Sequence, residues 1–351
     1  MPRRRAEWVD VAKFIAILAV MVDHTNGILY CNPHVALASY FSVSLFIVVM
    51  GVTLFWSYSR RGADVGLAKR CWTIFRPYSI ATFIYCLFSY KAFDFEVYLK
   101  HLVGFSASGP FYYVLLYLQL LLIPPYLFRM CRFDRCKAVI TETATFVGVL
   151  ALSSFTTNHT NILNVYGGGG RLFGGTYLVL LYVGMLIGKY SPRIRSGKWP
   201  STFCSLVFLG CTIAWEQSVV VRHIQVDAHF PFGGGFNPPS VSLGIYAILI
   251  AFTLMFAGKA VEQSWVGFVR LPFSFLAWFG RHTLHVFLYH RLFLDYLLMG
   301  FLAFCNVHRI PAVLIGLFFF AAMTGGSIGL EYLLGWLKSF FQPSANERPS
   351  H

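Results

Sequence analysis

The first strongly apolar run of the chain, RRRAEWVDVAKFIAILAVMVDHTNG, carries two ionisable side chains that sit poorly in a plain membrane helix, Lys13 and His24. Eleven residues separate them. At 3.6 residues per turn that is close to three full turns, so both fall on one helix face, about 16 Å apart along the axis. Titratable groups at membrane depth are costly and usually face a cavity or pathway where they act. Asp10 lies three residues before Lys13 and can pair with it near the cytoplasmic end. His24, beside Asp23 near the outer end, offers a neutral imidazole able to take a proton from an incoming hydroxyl. Two readings stand level for this group: a membrane-embedded reactive site, or a charge pair that fixes packing together with a histidine bonded to a neighbouring helix.

A second group follows in SRRGADVGLAKRCWTIFRPY. Arg60, Arg61, Lys69 and Arg70 suit a cytoplasmic loop, where basic residues accumulate anyway. Arg76, one residue before Pro77 and inside the next apolar run, needs an anion, a carbonyl or a wet cavity. A nucleotide-bearing donor with phosphates would supply that anion. A third run, FLAWFGRHTLHVFLYHRLFLDY, holds Arg281, His282, His285, His290 and Arg291. Its histidines share no narrow stripe, and neither HExxH nor a nearby cysteine pair accompanies them, so a metal site is disfavoured. Arg291 and Asp295 are spaced to pair near the outer interface. Glu216 and Glu331 are buried-acid candidates that would neutralise one of these cations.

The elements that must position these residues are membrane helices. Of 351 residues, 57% are hydrophobic and 12% charged, against roughly 25% charged in a soluble domain. The mean hydropathy is +0.63. Apolar segments of spanning length occur ten times, at about 9–29, 39–58, 72–90, 110–128, 138–156, 172–189, 202–221, 240–258, 274–298 and 311–337. With the N-terminus in the cytoplasm, inner segments hold 19 of the 28 Lys and Arg, outer loops five and helices four. That bias predicts an all-α polytopic protein with both termini cytoplasmic and a single integral domain over 1–351. The same clustering in alternate loops explains the net charge of +14 without nucleic acid. A cleaved signal peptide is disfavoured by the charged residues in and beside its apolar stretch. Two outer runs are glycine-rich, Gly167–Gly175 and Gly233–Pro239; a ligand-approaching lid and a flexible tether fit them equally.

The opening EWVDVAKFIAILAVMVDHTNG resembles that of membrane acyltransferase family 3, including fucose O-acetylase-like proteins. Asp10, Lys13 and His24 match its Asp, basic residue and His position for position. KRCWTIFRPY resembles the family's basic segment leading into the third helix, and FGRHTLHVFLYH its late Gly–Ser–Tyr–His stretch, with Gly280 and His290 in place. The resemblance implies a multi-pass enzyme of the bacterial inner membrane. It would move an acyl group, commonly acetyl from acetyl-CoA, onto hydroxyls of cell-surface polysaccharide or lipid-linked sugars. It also implies catalytic roles for the first-helix basic residue and histidine. Three departures stand out: no strict Arg-x-x-Arg; Thr283 for serine together with Phe287 for tyrosine; and Asp23 at a position that is often glycine.

Taken together, the expectation is an O-acetyltransferase with Asp10, Lys13 and His24 as the catalytic group. Lys69, Arg70 and Arg76 would receive the acyl-CoA, and His290, Asp23 and Glu216 would support the site or its carbohydrate acceptor. Membrane lipid surrounds it, and no metal is called for. The competing expectation is a polytopic transporter or flippase for a glycan-related solute; many such folds show repeated halves, and none is evident here.

Overall fold

The computed structural model describes residues 6–62, 66–90, 94–130, 135–162, 167–194, 197–220, 222, 236–264, 267–307 and 311–340. Among these the chain is helical, without a β-strand. It forms two compact units, one up to Arg281 and one from His282. The first contains α1 (Glu7–Thr25), α2 (Pro33–Ser39), α3 (Ser42–Arg61), α4 (Leu67–Tyr90), α5 (Phe95–Gly104), α6 (Tyr112–Leu120), α7 (Pro124–Met130), α8 (Arg135–His159), α9 (Tyr177–Tyr190), α10 (Lys198–Trp215), α11 (Val241–Glu262) and α12 (Gly267–Arg281). The second contains α13 (Thr283–Leu292), α14 (Met299–Val307) and α15 (Ala312–Phe340).

Five of these stretches are long and apolar enough to cross a bilayer: Pro33–Arg61, Ala138–His159, Lys198–Val220, Val241–Glu262 and Leu314–Leu337. A sixth is the pair α6 and α7, preceded by a short turn and bent by 43°. The other expected spans depart from a plain apolar helix for visible reasons. Helix α1 carries Glu7, Asp10, Lys13 and Asp23, α4 contains Pro77 and a basic first turn, and α9 has only 14 residues. The segment expected at 274–298 is not one helix. Helix α12 ends at Arg281, α13 begins at Thr283, and a π-helical turn occupies Phe293–Leu298.

Helix ends follow local chemistry. Asn32 caps α2 by accepting from the His34 amide at 2.9 Å, and Asp94 caps α5 by accepting from the Glu96 amide at 2.8 Å, each satisfying an orphan donor of the first turn.

The tightest crossing joins α3 and α9, which run parallel. A methyl group on Gly51 would overlap the Leu181 carbonyl, and one on Gly184 the Val48 carbonyl. Trp56 donates its indole N–H to the Gly188 carbonyl at 2.8 Å. Small residues one turn apart let backbones approach this closely in lipid, where dispersion replaces the hydrophobic drive. Leu45, Ile47, Leu181, Tyr182 and Met185 fill the crossing and are fully buried.

Helices α8 and α9 run antiparallel and share a charge cluster. Lys189 pairs with Glu142, whose other carboxylate oxygen accepts from the Tyr190 hydroxyl at 2.7 Å. Helices α10 and α11 are also antiparallel, joined by Ser205 to the Thr253 carbonyl at 3.1 Å and Trp215 to the Ser242 carbonyl at 3.0 Å.

The first glycine-rich run is pinned to α6. Gln119 donates to the Gly169 carbonyl at 2.9 Å and accepts from the Phe173 amide at 3.0 Å. Gly174 and Gly175 take φ of 75° and 58°, a left-handed turn that glycine makes without a Cβ penalty. A slack tether is therefore the wrong description. In the second run, Gly233 to Gly235 lie outside the described residues. Its end is held by Tyr177, which donates to Asn237 Oδ1 at 2.7 Å, and by Thr176, which donates to the Pro239 carbonyl at 2.9 Å.

Candidate active site

Helix α1 is unbroken over 19 residues, so the spacing of Lys13 and His24 does place both on one face. Its N-terminal half lies along α12, and the two helices run parallel. Ser274 donates to Glu7 Oε2 at 2.9 Å. One turn on, a methyl group on Gly280 would overlap the Asp10 carbonyl, and Phe14 stacks on Phe279 with centroids 5.2 Å apart. Only glycine permits this backbone contact.

The contact buries Asp10 completely. Its Oδ1 meets Lys13 Nζ at 3.3 Å, the pairing expected from their spacing. Its Oδ2 lies 3.9 Å from Arg281 Nε. A buried carboxylate is costly unless paired and hydrogen-bonded, and here two cations share it. Arg281 was not assigned a role by sequence reasoning. The available signal was its place as a cation inside an apolar helix directly after Gly280.

His24 occupies the last turn of α1 and is partly exposed. The next residue, Thr25, is buried and donates back to the Met21 and Val22 carbonyls, each at 2.9 Å. Tyr30 folds over this end and donates to the Val22 carbonyl at 2.6 Å. Burial, with added repulsion from Asp23 and Tyr40, pushes the Tyr30 phenol up to about 12. Asp23 is thus a close neighbour of Tyr30 at the C-terminal end of the helix.

The three basic residues expected to meet the donor divide in two. Arg70 turns towards α3, donating Nη2 to Ser57 Oγ at 2.8 Å and lying 4.8 Å over the Tyr58 ring. Its Nε is buried and has no hydrogen-bond partner among the described residues. Lys69 and Arg76 are exposed. Seven residues apart, they share a side of α4, whereas Arg70 and Arg76 leave it about 120° apart. A single cradle made of all three is not what the helix presents. The Ser57–Tyr58 seat of Arg70 was also missed, because it is formed by a neighbouring helix.

Glu216, expected to neutralise a cation, opens a π-helical turn and accepts from its neighbour Gln217. Half-buried at the end of α10, it meets no cation among the described residues.

In the second unit, His290 is wholly buried. Its Nδ1 donates to the Val286 and Phe287 carbonyls at 3.1 and 2.9 Å, which fixes the tautomer and leaves Nε2 as the acceptor. Glu331 does meet basic groups, as expected: its Oε2 faces His282 Nδ1 at 2.8 Å and His285 Nδ1 at 3.1 Å. Arg291 pairs with Asp295 at 3.0 Å. Among the described residues, no three His, Cys, Asp or Glu side chains are grouped to hold a metal ion.

The acyltransferase domain of membrane acyltransferase family 3 matches residues 6–332, nearly the whole chain. The chain belongs to this family of acyltransferases, and its several long apolar helices make it a multi-pass membrane protein. No curated protein and no solved structure gives a significant match.

Proposed function

We propose that the protein transfers an acyl group, acetyl from acetyl-CoA, across the bacterial inner membrane to a hydroxyl of an extracytoplasmic or lipid-linked sugar, as in fucose O-acetylase-like enzymes. The observation that carries this reading is the buried Asp10–Lys13 pair on the same unbroken helix, and the same face, as His24. The family match running through both compact units supports one acyltransferase domain over 1–351.

The senses of the helix pairs support strict alternation of the spans, which ten crossings with both termini inside require. Strict alternation makes the first and ninth spans parallel, the second and sixth parallel, and consecutive spans antiparallel. The pairs α1–α12, α3–α9, α8–α9 and α10–α11 run in those senses.

The donor brings an activated thioester and a phosphate-bearing nucleotide. Arg70 suits the nucleotide: Ser57 and Tyr58 orient its guanidinium, and its unsatisfied Nε is a donor that an anion would complete. Lys69 and Arg76 add positive charge on the neighbouring side of α4. Asp10 holds the Lys13 ammonium in place. His24 acts as general base at its Nδ1 or Nε2, taking the proton of the sugar hydroxyl as that oxygen attacks the thioester carbonyl. The C–S bond then breaks, and the imidazolium passes the proton to the departing coenzyme A thiolate. At the C-terminal end of α1 the helix dipole favours the imidazolium that forms. Asp23 lies beside this end, and within the second unit His290 presents an imidazole oriented by its own helix. Purified protein given labelled acetyl-CoA is expected to pass label to host glycans. His24→Ala is expected to lose transfer by about 10²–10⁴-fold while reaching the membrane in normal amount; near wild-type transfer by that variant ends the catalytic assignment.

A further inference from the structure

Arg281 is tied to Asp10 by charge alone. At 3.9 Å its Nε is beyond hydrogen-bond range, and none of its five donors makes a hydrogen bond to the described residues. The side chain is 48% exposed, and that of Lys13 25%. The other acid on this stretch, Glu7, is engaged by Ser274. One buried carboxylate therefore faces two cations, and each of them keeps an accessible side. The Gly280 contact sets the Arg281 backbone against α1, so the side chain starts from a fixed point beside Asp10.

We propose that Arg281, with Lys13 beside it, binds a phosphate oxyanion at the junction of α1 and α12. A planar guanidinium with unspent donors matches phosphate in a two-pronged grip, and an adjacent ammonium adds a point charge. Asp10 keeps both cations together when the anion is absent, which avoids the repulsion of two bare charges. The phosphate can come from the nucleotide-bearing donor or from an anionic phospholipid headgroup. The first source rests on the acyl-CoA reading above and extends it to a second contact, apart from Arg70.

The test uses the full chain in lipid nanodiscs, with coenzyme A titrated calorimetrically in phosphatidylcholine. Arg281→Gln is expected to weaken coenzyme A by about tenfold or more, the loss expected of hydrogen bonds to a charged group. Arg281→Lys, which keeps charge without the fork, is expected to fall between, and carries the comparison if the glutamine variant does not purify as a single species. A second arm counts phosphatidylglycerol retained from mixed nanodiscs by native mass spectrometry. Loss of retained phosphatidylglycerol in Arg281→Gln with coenzyme A affinity unchanged assigns the anion to lipid. If neither quantity changes, the site does not exist. If wild-type protein binds no coenzyme A, the donor reading fails, and the lipid arm alone decides the site.

Discussion

Replacing Asp10 by Asn keeps the shape of a fully buried side chain and removes its charge, leaving Lys13 and Arg281 facing each other without the carboxylate they share. At separations of 3.3 and 3.9 Å, each attraction is worth about 4–5 kcal/mol at an effective dielectric near 20, before solvation is counted. Both cations keep contact with solvent, which screens them. The net destabilisation is then about 2–3 kcal/mol, below the range for a fully buried pair that loses one partner. Thermal unfolding of the purified protein in detergent reads this directly. Acyl transfer should fall further than stability alone explains, by about 10–100-fold, because an unanchored Lys13 shifts the reacting groups. The decisive comparison is a double-mutant cycle. Lys13→Met in the Asp10→Asn background removes one of two repelling cations, so the double variant should be more stable than the sum of the single effects predicts. Strict additivity, or an Asp10→Asn variant with wild-type stability and transfer, would refute the shared-carboxylate argument.

Two other outcomes follow from the packing and from the donor residues. Gly184→Leu should separate α3 from α9, because the added side chain meets the Val48 carbonyl. Overpacking of this kind costs about 1–3 kcal/mol or more, read as a lower unfolding temperature and reduced membrane yield. Arg70→Ala should raise the KM for acetyl-CoA while leaving the protein's amount unchanged, with Ser57→Ala giving a smaller shift in the same direction. Unchanged KM in both would remove Arg70 from the donor site.

The parts of the site that were legible in the sequence lie within a single helix. Asp10, Lys13 and His24 obey the i, i+3 and three-turn relations of α1, and the structure keeps them. Arg291–Asp295 is likewise a four-residue spacing that forms its ion pair. Legibility fails where a partner comes from another element. Arg70 and Arg76 read as one basic group along the chain, yet helical rotation sends them to different sides, and only α3 supplies the Ser57 and Tyr58 seat. Glu216 has the composition of a counter-ion, but the end of α10 gives it a glutamine neighbour. The glycine-rich run Gly167–Gly175 carries no sign of the Gln119 that pins it fifty residues away.

Periodicity, apolar run length and the placement of basic loops, taken from the residues alone, determined a helical membrane protein and the face shared by Lys13 and His24, because those properties depend only on backbone repeat and on the energy of charge in lipid. Tertiary packing decided what each charge touches. Glycine at 280 lets α12 close on α1 and bring Arg281 to Asp10, and glycines at 51 and 184 do the same for α3 and α9. Such contacts depend on which backbones can approach within van der Waals range, a property of two surfaces together that neither segment encodes by itself.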